Sequence, residues 1–263
     1  LLFIKTIVVE VFFLNGNTCA SLTFFYFCTT FLVMAVILQI ETSTTVCSAA
    51  LSQNSSCIME RTELGGLSHA TMLPRFLQEI VSFLTKENLK VDAVSVSCGP
   101  GSYTGLRIGV SSAKGLCYGW NVPLIAVDTL AVLCEGLIET GMTLGEDDLL
   151  CPMIDARRME VYTAFYNKHL ERVVPISAEI VSEDSFSDIL ASHKVYFFGD
   201  GAEKCRNVLT HQNAIFVPNV VPFAKNMTRL SATFFAQEKF QDVAYFEPFY
   251  LKDFIATLPK KLI

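Results

Sequence analysis

Three short stretches of this sequence carry residue types able to do chemistry. Glu41-Thr42-Ser43-Thr44 sets a carboxylate beside three hydroxyls in what reads as a tight strand-to-strand turn, suited to approach a phosphate or a hydrated magnesium ion. A hairpin held by hydroxyl-to-backbone bonds is the competing reading. Cys98-Gly-Pro-Gly-Ser-Tyr-Thr-Gly-Leu-Arg-Ile-Gly109 is the most informative block: Gly99 and Gly101 permit unusual backbone angles, Ser102 or Thr104 can cap a helix, and free N–H groups there can hold an anion. Gly99, Gly101 and Gly105 do not have the spacing of a dinucleotide fingerprint, no Gly-Lys-Ser/Thr closes a P-loop, and Ser102 lacks the Gly-x-Ser-x-Gly setting of a hydrolase nucleophile. Asp155-Ala-Arg157-Arg158 offers two guanidinium groups that could grip a phosphate or an RNA backbone. A solvated turn with an internal Asp155 to Arg157 pair fits equally well.

No catalytic set of nucleophile, base and orienting group can be assembled from the remaining residues. The histidines at 69, 169, 193 and 211 are scattered without His-x-x-x-His spacing, which excludes a helical metal pair, so no metal site is expected. His69 reads as a capping or surface residue. The 9 cysteines are odd in number, form no Cys-x-x-Cys and sit mostly in apolar runs, the pattern of reduced core thiols in a cytoplasmic protein. With 20 Lys+Arg against 26 Asp+Glu and a net charge of −6, the chain is not a globally basic nucleic-acid binder. At 51% hydrophobic it is not disordered either.

The elements that must position these stretches follow from periodicity. Val36 to Ile40, Val46 to Leu51 and Cys57 to Thr62 read as strands, with 52–56 as a polar turn. Met72, Leu73, Phe76, Leu77, Ile80, Phe83 and Leu84 then form one helical stripe behind a candidate cap at Ser68 and a loose Gly65-Gly66, with a kink or late start expected at Pro74. A strand over Ala93 to Cys98, a helix over Thr104 to Tyr118, a strand over Leu124 to Val127 and a helix after Asp128 or Thr129 complete the first half. The second half repeats the order. Strands are expected at Leu149 to Asp155, Glu160 to Tyr166, Arg172 to Ile176, Val195 to Phe198 and Ala214 to Val217. Helices are expected over Ser185 to Ala191, Ala202 to Leu209, and Phe223 to Phe235 after Pro222. This succession implies a duplicated α/β architecture with a mixed sheet in each lobe, although no residue-level repeat is visible. On the helix after Gly101, Gly105, Gly109 and Ala113 recur every four residues and Ser111, Gly115 and Gly119 make a second small stripe. Either stripe could pack on its own lobe or admit a helix of another molecule.

Residues 1–33 carry two charged residues, Lys5 and Glu10. The last part of the uncharged run belongs to the first strand, and what remains is short for a ~20-residue span. Glu10 and the lack of a small-residue cleavage site disfavour a signal peptide. These residues are expected to be an extension upstream of a start at Met34. Residues 34–130 are expected to form the first lobe and 131–244 the second, with a tail of about 245–263 returning to the first.

Taken together, several segments resemble the TsaB (YeaZ-type) subunits of the bacterial complex that makes threonylcarbamoyladenosine at position 37 of tRNAs reading codons that begin with A. They are Ile40-Glu-Thr-Ser-Thr44, His69 with Leu73-Pro74, Gly99 to Gly109, Ile154-Asp-Ala-Arg157 with Glu160-Val-Tyr162, and Glu247-Pro-Phe-Tyr-Leu-Lys252. The resemblance runs from Met34 to about Pro259. It implies a duplicated, two-lobed actin-like (ASKHA, RNase H-like) fold and a non-catalytic role beside the related transferase TsaD, whose metal-binding histidine pair this chain lacks. It further implies pairing with TsaD through a four-helix interface, to which His69, Met72, Leu73, Phe76, Leu77, Ile80, Leu106, Ile108, Gly109 and Ala113 are assigned, with the P-loop ATPase TsaE joining the pair. Alone, the chain would form a homodimer by the same face. It would meet tRNA only within the complex, carry no cofactor of its own, and see ATP or ADP at most at the complex interface. Glu41 to Thr44 would then be a vestigial nucleotide turn, and Glu41 stands where the family more often has Asp. The alternatives are an active ATP-binding phosphotransferase of the actin-like class, an M22-like peptidase, or direct tRNA binding through Arg157 and Arg158.

Overall fold

The computed structural model describes residues 5–15, 18–28, 35–65 and 68–252. Met34, Gly66 and the part of the tail beyond Lys252 lie outside the described residues. The chain divides into two units, 1–34 and 35–263. The first is a two-stranded antiparallel hairpin of β1 (Lys5–Asn15) and β2 (Thr18–Cys28), in register from Lys5 opposite Cys28 to Asn15 opposite Thr18. Among the described residues, no helix is long and apolar enough to cross a membrane.

The second unit is built twice over on one plan. Its first lobe contains β3 (Val36–Glu41), β4 (Cys47–Gln53), β5 (Ser56–Glu63), α1 (His69–Lys86), β6 (Ala93–Gly99), α2 (Tyr103–Trp120) and β7 (Leu124–Asp128). α3 (Thr129–Glu139) follows, and then β8 (Leu149–Asp155), β9 (Glu160–Tyr166), β10 (Arg172–Ile180), α4 (Ser187–Ser192), β11 (Val195–Phe198), β12 (Ala214–Phe216) and α5 (Thr228–Ala236). The sheets run β5-β4-β3-β6-β7 and β10-β9-β8-β11-β12. In each, the first three strands of the lobe pair antiparallel and the last two add in parallel. This is the duplicated α/β architecture expected from the element order, and the two-lobed actin-like fold that the resemblance implies.

Burial follows the strand and helix periods. Leu73, Phe76, Ile80 and Leu84 of α1, with Val110, Ala113 and Cys117 of α2, pack on Val36, Leu38, Ile40, Ala49, Leu51, Val94 and Val96 of the first sheet. The other face of that sheet is partly polar, and its buried hydroxyls find partners in the chain's late segment. Ser231 Oγ donates to Ser95 Oγ at 2.8 Å, and the Ala224 N–H donates to Ser48 Oγ at 2.8 Å. α5 therefore belongs physically to the first sheet. α3 lines one face of the second sheet through Leu130, Leu133, Cys134 and Leu137, and α4 helps cover the other through Leu190.

Where β7 meets α3, the lobes are clasped by one carboxylate. Asp128 caps α3 by accepting from the Leu130 N–H at 2.8 Å, accepts from the Tyr166 hydroxyl at 2.9 Å, and forms an ion pair with Arg172. Burial raises the Asp128 pKa, and Arg172 opposes the shift.

Three elements differ from the sequence reading. The helix expected over Ala202 to Leu209 is only a 3₁₀ turn at Glu203–Cys205. Here N–H groups bond three residues back, from Cys205 to Ala202 and from Arg206 to Glu203, while that of Leu209 reaches four back, to Cys205. The helix expected over Phe223 to Phe235 breaks into a 3₁₀ turn, Ala224–Met227, and α5. There Asn226 accepts from the Phe223 N–H and donates to Glu139, fixing a tight first turn. α1 starts at His69 despite Pro74, so the late start expected there does not occur.

Candidate functional site

The Glu41 turn is sealed inside the first lobe. Glu41, Thr42 and Ser43 have no exposed surface, and the cause is the glycine spacing of α2. A Cβ on Gly105 would stand 2.0 Å from the Thr42 carbonyl oxygen, one on Gly101 2.4 Å from that of Ser43, and one on Gly109 2.3 Å from Thr42 Oγ1. Only bare backbone lets the helix lie on the turn. The contact is then hydrogen-bonded: the Ser102 N–H donates to Ser43 O at 2.6 Å, Thr42 Oγ1 donates to Gly105 O at 2.8 Å, and His69 Nε2 lies 2.8 Å from Thr44 O. Ser102 caps α2 by accepting from the Gly105 N–H at 3.3 Å.

The residues assigned from the sequence to a partner interface divide by burial. Leu73, Phe76, Ile80, Leu106, Gly109 and Ala113 are buried within their own lobe, since the stripe that packs on the sheet is the same one that reads as apolar. His69, Met72, Leu77 and Ile108 are half-buried. The second small stripe differs: a Cβ on Gly115 or Gly119 would meet nothing within 4 Å, and Tyr118 beside them is 88% exposed.

Within its sealed turn, Glu41 accepts one hydrogen bond, from the Ser43 N–H at 2.6 Å, while its second oxygen has none. Burial pushes this carboxyl up to about 7, against the lowering effect of Ser43 and Ser97.

The turn after β8 is built the opposite way. Asp155 is exposed, and Arg157 and Arg158 sit in left-handed conformation at φ 71° and 51°. Asp155 does bond to Arg157, but through the backbone: its Oδ1 accepts from the Arg157 N–H at 2.9 Å. Its ionic partner is Lys204, which also donates to Glu160 O at 2.6 Å. Neither Lys204 nor Asp200, which accepts from the Asp155 N–H at 3.0 Å, stands out in the sequence. Burial raises the Asp200 pKa.

A signal for them exists in Gly199-Asp200-Gly201, which repeats Gly99-Pro100-Gly101 at the equivalent strand end. The first glycine of each has positive φ, 101° and 114°. The second lies against the opposing turn, Gly101 on Ser43 and Gly201 on Ile154 and Asp155. The duplication thus has a residue-level trace that the sequence reading missed.

Thr44 and Thr45 at the end of the first turn, Ile154 to Arg157 of the second, the start of α2 and residues Phe249 to Lys252 line one cleft of about 600 Å³ between the lobes. Neither Glu41 nor Asp155 stands free in it for a hydrated magnesium ion. The Glu41 carboxylate is shut behind its turn, and Asp155 is already neutralised by an ammonium group. Among the described residues, no group of three or more His, Cys, Asp or Glu could hold a metal ion.

Fold and cleft together define a two-lobed actin-like protein, and the family model described as TsaD, tRNA N6-adenosine threonylcarbamoyltransferase, matches residues 62–260; the chain belongs to this family and is of its TsaB type. It is 28% identical to the tRNA threonylcarbamoyladenosine biosynthesis protein TsaB of Escherichia coli, over 86% of this chain and 99% of that one. To the protein of the same name from Haemophilus influenzae it is 27% identical, over 82% and 93%. YeaZ from Pseudomonas aeruginosa shares the fold with a TM-score of 0.69 at 24% identity, over 83% of this chain and all of that one.

Proposed function

We propose that this chain is a non-catalytic subunit in the formation of threonylcarbamoyladenosine at adenosine 37 of tRNAs reading codons that begin with A, where it binds and activates a TsaD-type transferase. The observation that carries this reading is the contrast on α2. One small-residue stripe is consumed in sealing the Glu41 turn, while the other, Ser111, Gly115 and Gly119, stays open beside Tyr118. A smooth helical face with an aromatic residue at its edge suits close approach by a partner helix, and about 800 Å² per partner makes a specific interface. The two cleft carboxylates, one sealed and one paired, support a role without chemistry of its own. The names of the relatives and the family match support the pathway.

In this reading a TsaE-type ATPase joins the pair, tRNA is met only within the complex, and the chain alone forms a homodimer by the same face. It works in the cytoplasm with no cofactor of its own, and ATP or ADP enters at the interface. Reconstituted threonylcarbamoyl transfer should fall to background when this chain is omitted. Gly115→Leu, which adds bulk where nothing stands, should abolish co-purification with the transferase at unchanged melting temperature. Full transfer without the chain would refute the role, and intact pairing of Gly115→Leu would refute the face. Gly109→Leu is not a usable test, because its side chain would collide with Thr42.

A further inference from the structure

Residues 247–252 cross the mouth of the cleft and touch both lobes. On the first lobe, the Phe249 N–H donates to Cys98 O at 2.7 Å, extending the end of β6. Gly99 makes room for that approach, since a Cβ there would lie 2.5 Å from Phe249 O. The Tyr250 and Tyr103 rings pack with centroids 4.9 Å apart, and the Arg107 guanidinium lies 4.5 Å from the Tyr103 centroid. Just upstream, Lys114 Nζ donates to Ala244 O at 3.0 Å and to Phe246 O at 3.1 Å. On the second lobe, among the described residues, the segment is held by the ion pair of Lys252 with Glu160.

We propose that residues 247–252 are a latch that ties the lobes together across the cleft and lets go at its second-lobe end first. The two ends differ in kind. At the first lobe the hold is a neutral backbone hydrogen bond beside the packing of Tyr250 on Tyr103, which salt does not screen, although Phe249 itself is 43% exposed. At the second lobe it is an ion pair whose lysine is 46% exposed, and such pairs are weak and screened by salt. Opening therefore begins with loss of Lys252 from Glu160 while Phe249 stays on Cys98. Tyr103, Arg107 and Lys114 all lie on α2, so the state of the latch reaches the helix assigned to partner docking. That last step alone rests on the proposed function.

The test uses the full chain without a partner, so its failure is separate from failure of the docking reading. Spin labels on non-natural amino acids replace Ile58 and Ile180, exposed residues of the two lobes away from α2, in labelled chain diluted with unlabelled chain, and report the distance between the lobes within one molecule. Lys252→Glu should raise the longer-distance population roughly fivefold. Glu160→Lys should do the same, and the double charge swap should restore the original distribution. Amide exchange at Phe249 should stay slow in Lys252→Glu. An unchanged distance distribution in Lys252→Glu, or a double swap that restores nothing, overturns the latch; early loss of protection at Phe249 overturns its order of release. Lys252 is at the surface, so its substitution leaves the core intact, and unaltered exchange in β3 verifies that.

Discussion

The two lobes share a strand order and differ in nearly everything laid upon it. Outside the first sheet lie two helices of 18 residues each; in the equivalent places on the second are a helix of 6 and a 3₁₀ turn of 3. The turns after the first strands differ as sharply, one shut beneath α2 and the other open, with its arginines in solvent. A sheet needs both faces covered, and the duplication preserves that requirement. How each face is covered is free to diverge, and that is where the two halves have become unlike.

If the first turn is a packed joint and the second a loose one, substitutions should rank accordingly. Gly105→Ala drives a methyl group into the Thr42 carbonyl, and neither backbone can retreat. A loss of about 3 kcal/mol, the upper part of the overpacking range, is expected in urea unfolding; a loss under ~1 kcal/mol would mean the joint is soft.

Glu41→Gln probes the same joint by charge. The folded pKa of Glu41 is raised from 4.5 to about 7, so its protonated form stabilises the fold. That contribution is full below pH 4.5 and is lost as pH rises through 7. The shift corresponds to roughly 3 kcal/mol. The stability difference between Glu41→Gln and the parent should therefore move in favour of the variant across that window, and a pH-independent difference would remove Glu41 from the account.

Least is expected of Lys204→Met in the open turn. Its ion pair with Asp155 is partly exposed, the carboxylate side chain by 48%. The cost should stay below ~1 kcal/mol and shrink in salt. A cost as large as that of Gly105→Ala would erase the distinction between the turns.

Much of this molecule is legible in its amino-acid sequence. β8, β9 and β11 fall on the residues their periodicity marks, and Asp128 caps α3 where a helix was expected to begin. Both turns were visible as places for chemistry because hydroxyls, carboxylates and glycines cluster there. Lys204 and Asp200 were not, since each acts 45 or more residues from the turn it serves and no local pattern marks a charge that will find its partner across a sheet. The shortness of the 3₁₀ turn at Glu203–Cys205 is not legible either, because its residues are adequate helix formers.

The amino-acid order by itself determined the elements, their duplicated succession and the glycine-rich start of α2, because hydrophobic period and backbone freedom are local properties. Which of two small-residue stripes would be buried was another matter, as was which carboxylate would be sealed and which neutralised, and that residues 247–252 would bridge the cleft. Only the tertiary structure decided these, for each is set by what lies on the far side of a contact, and the far side comes from a distant part of the chain.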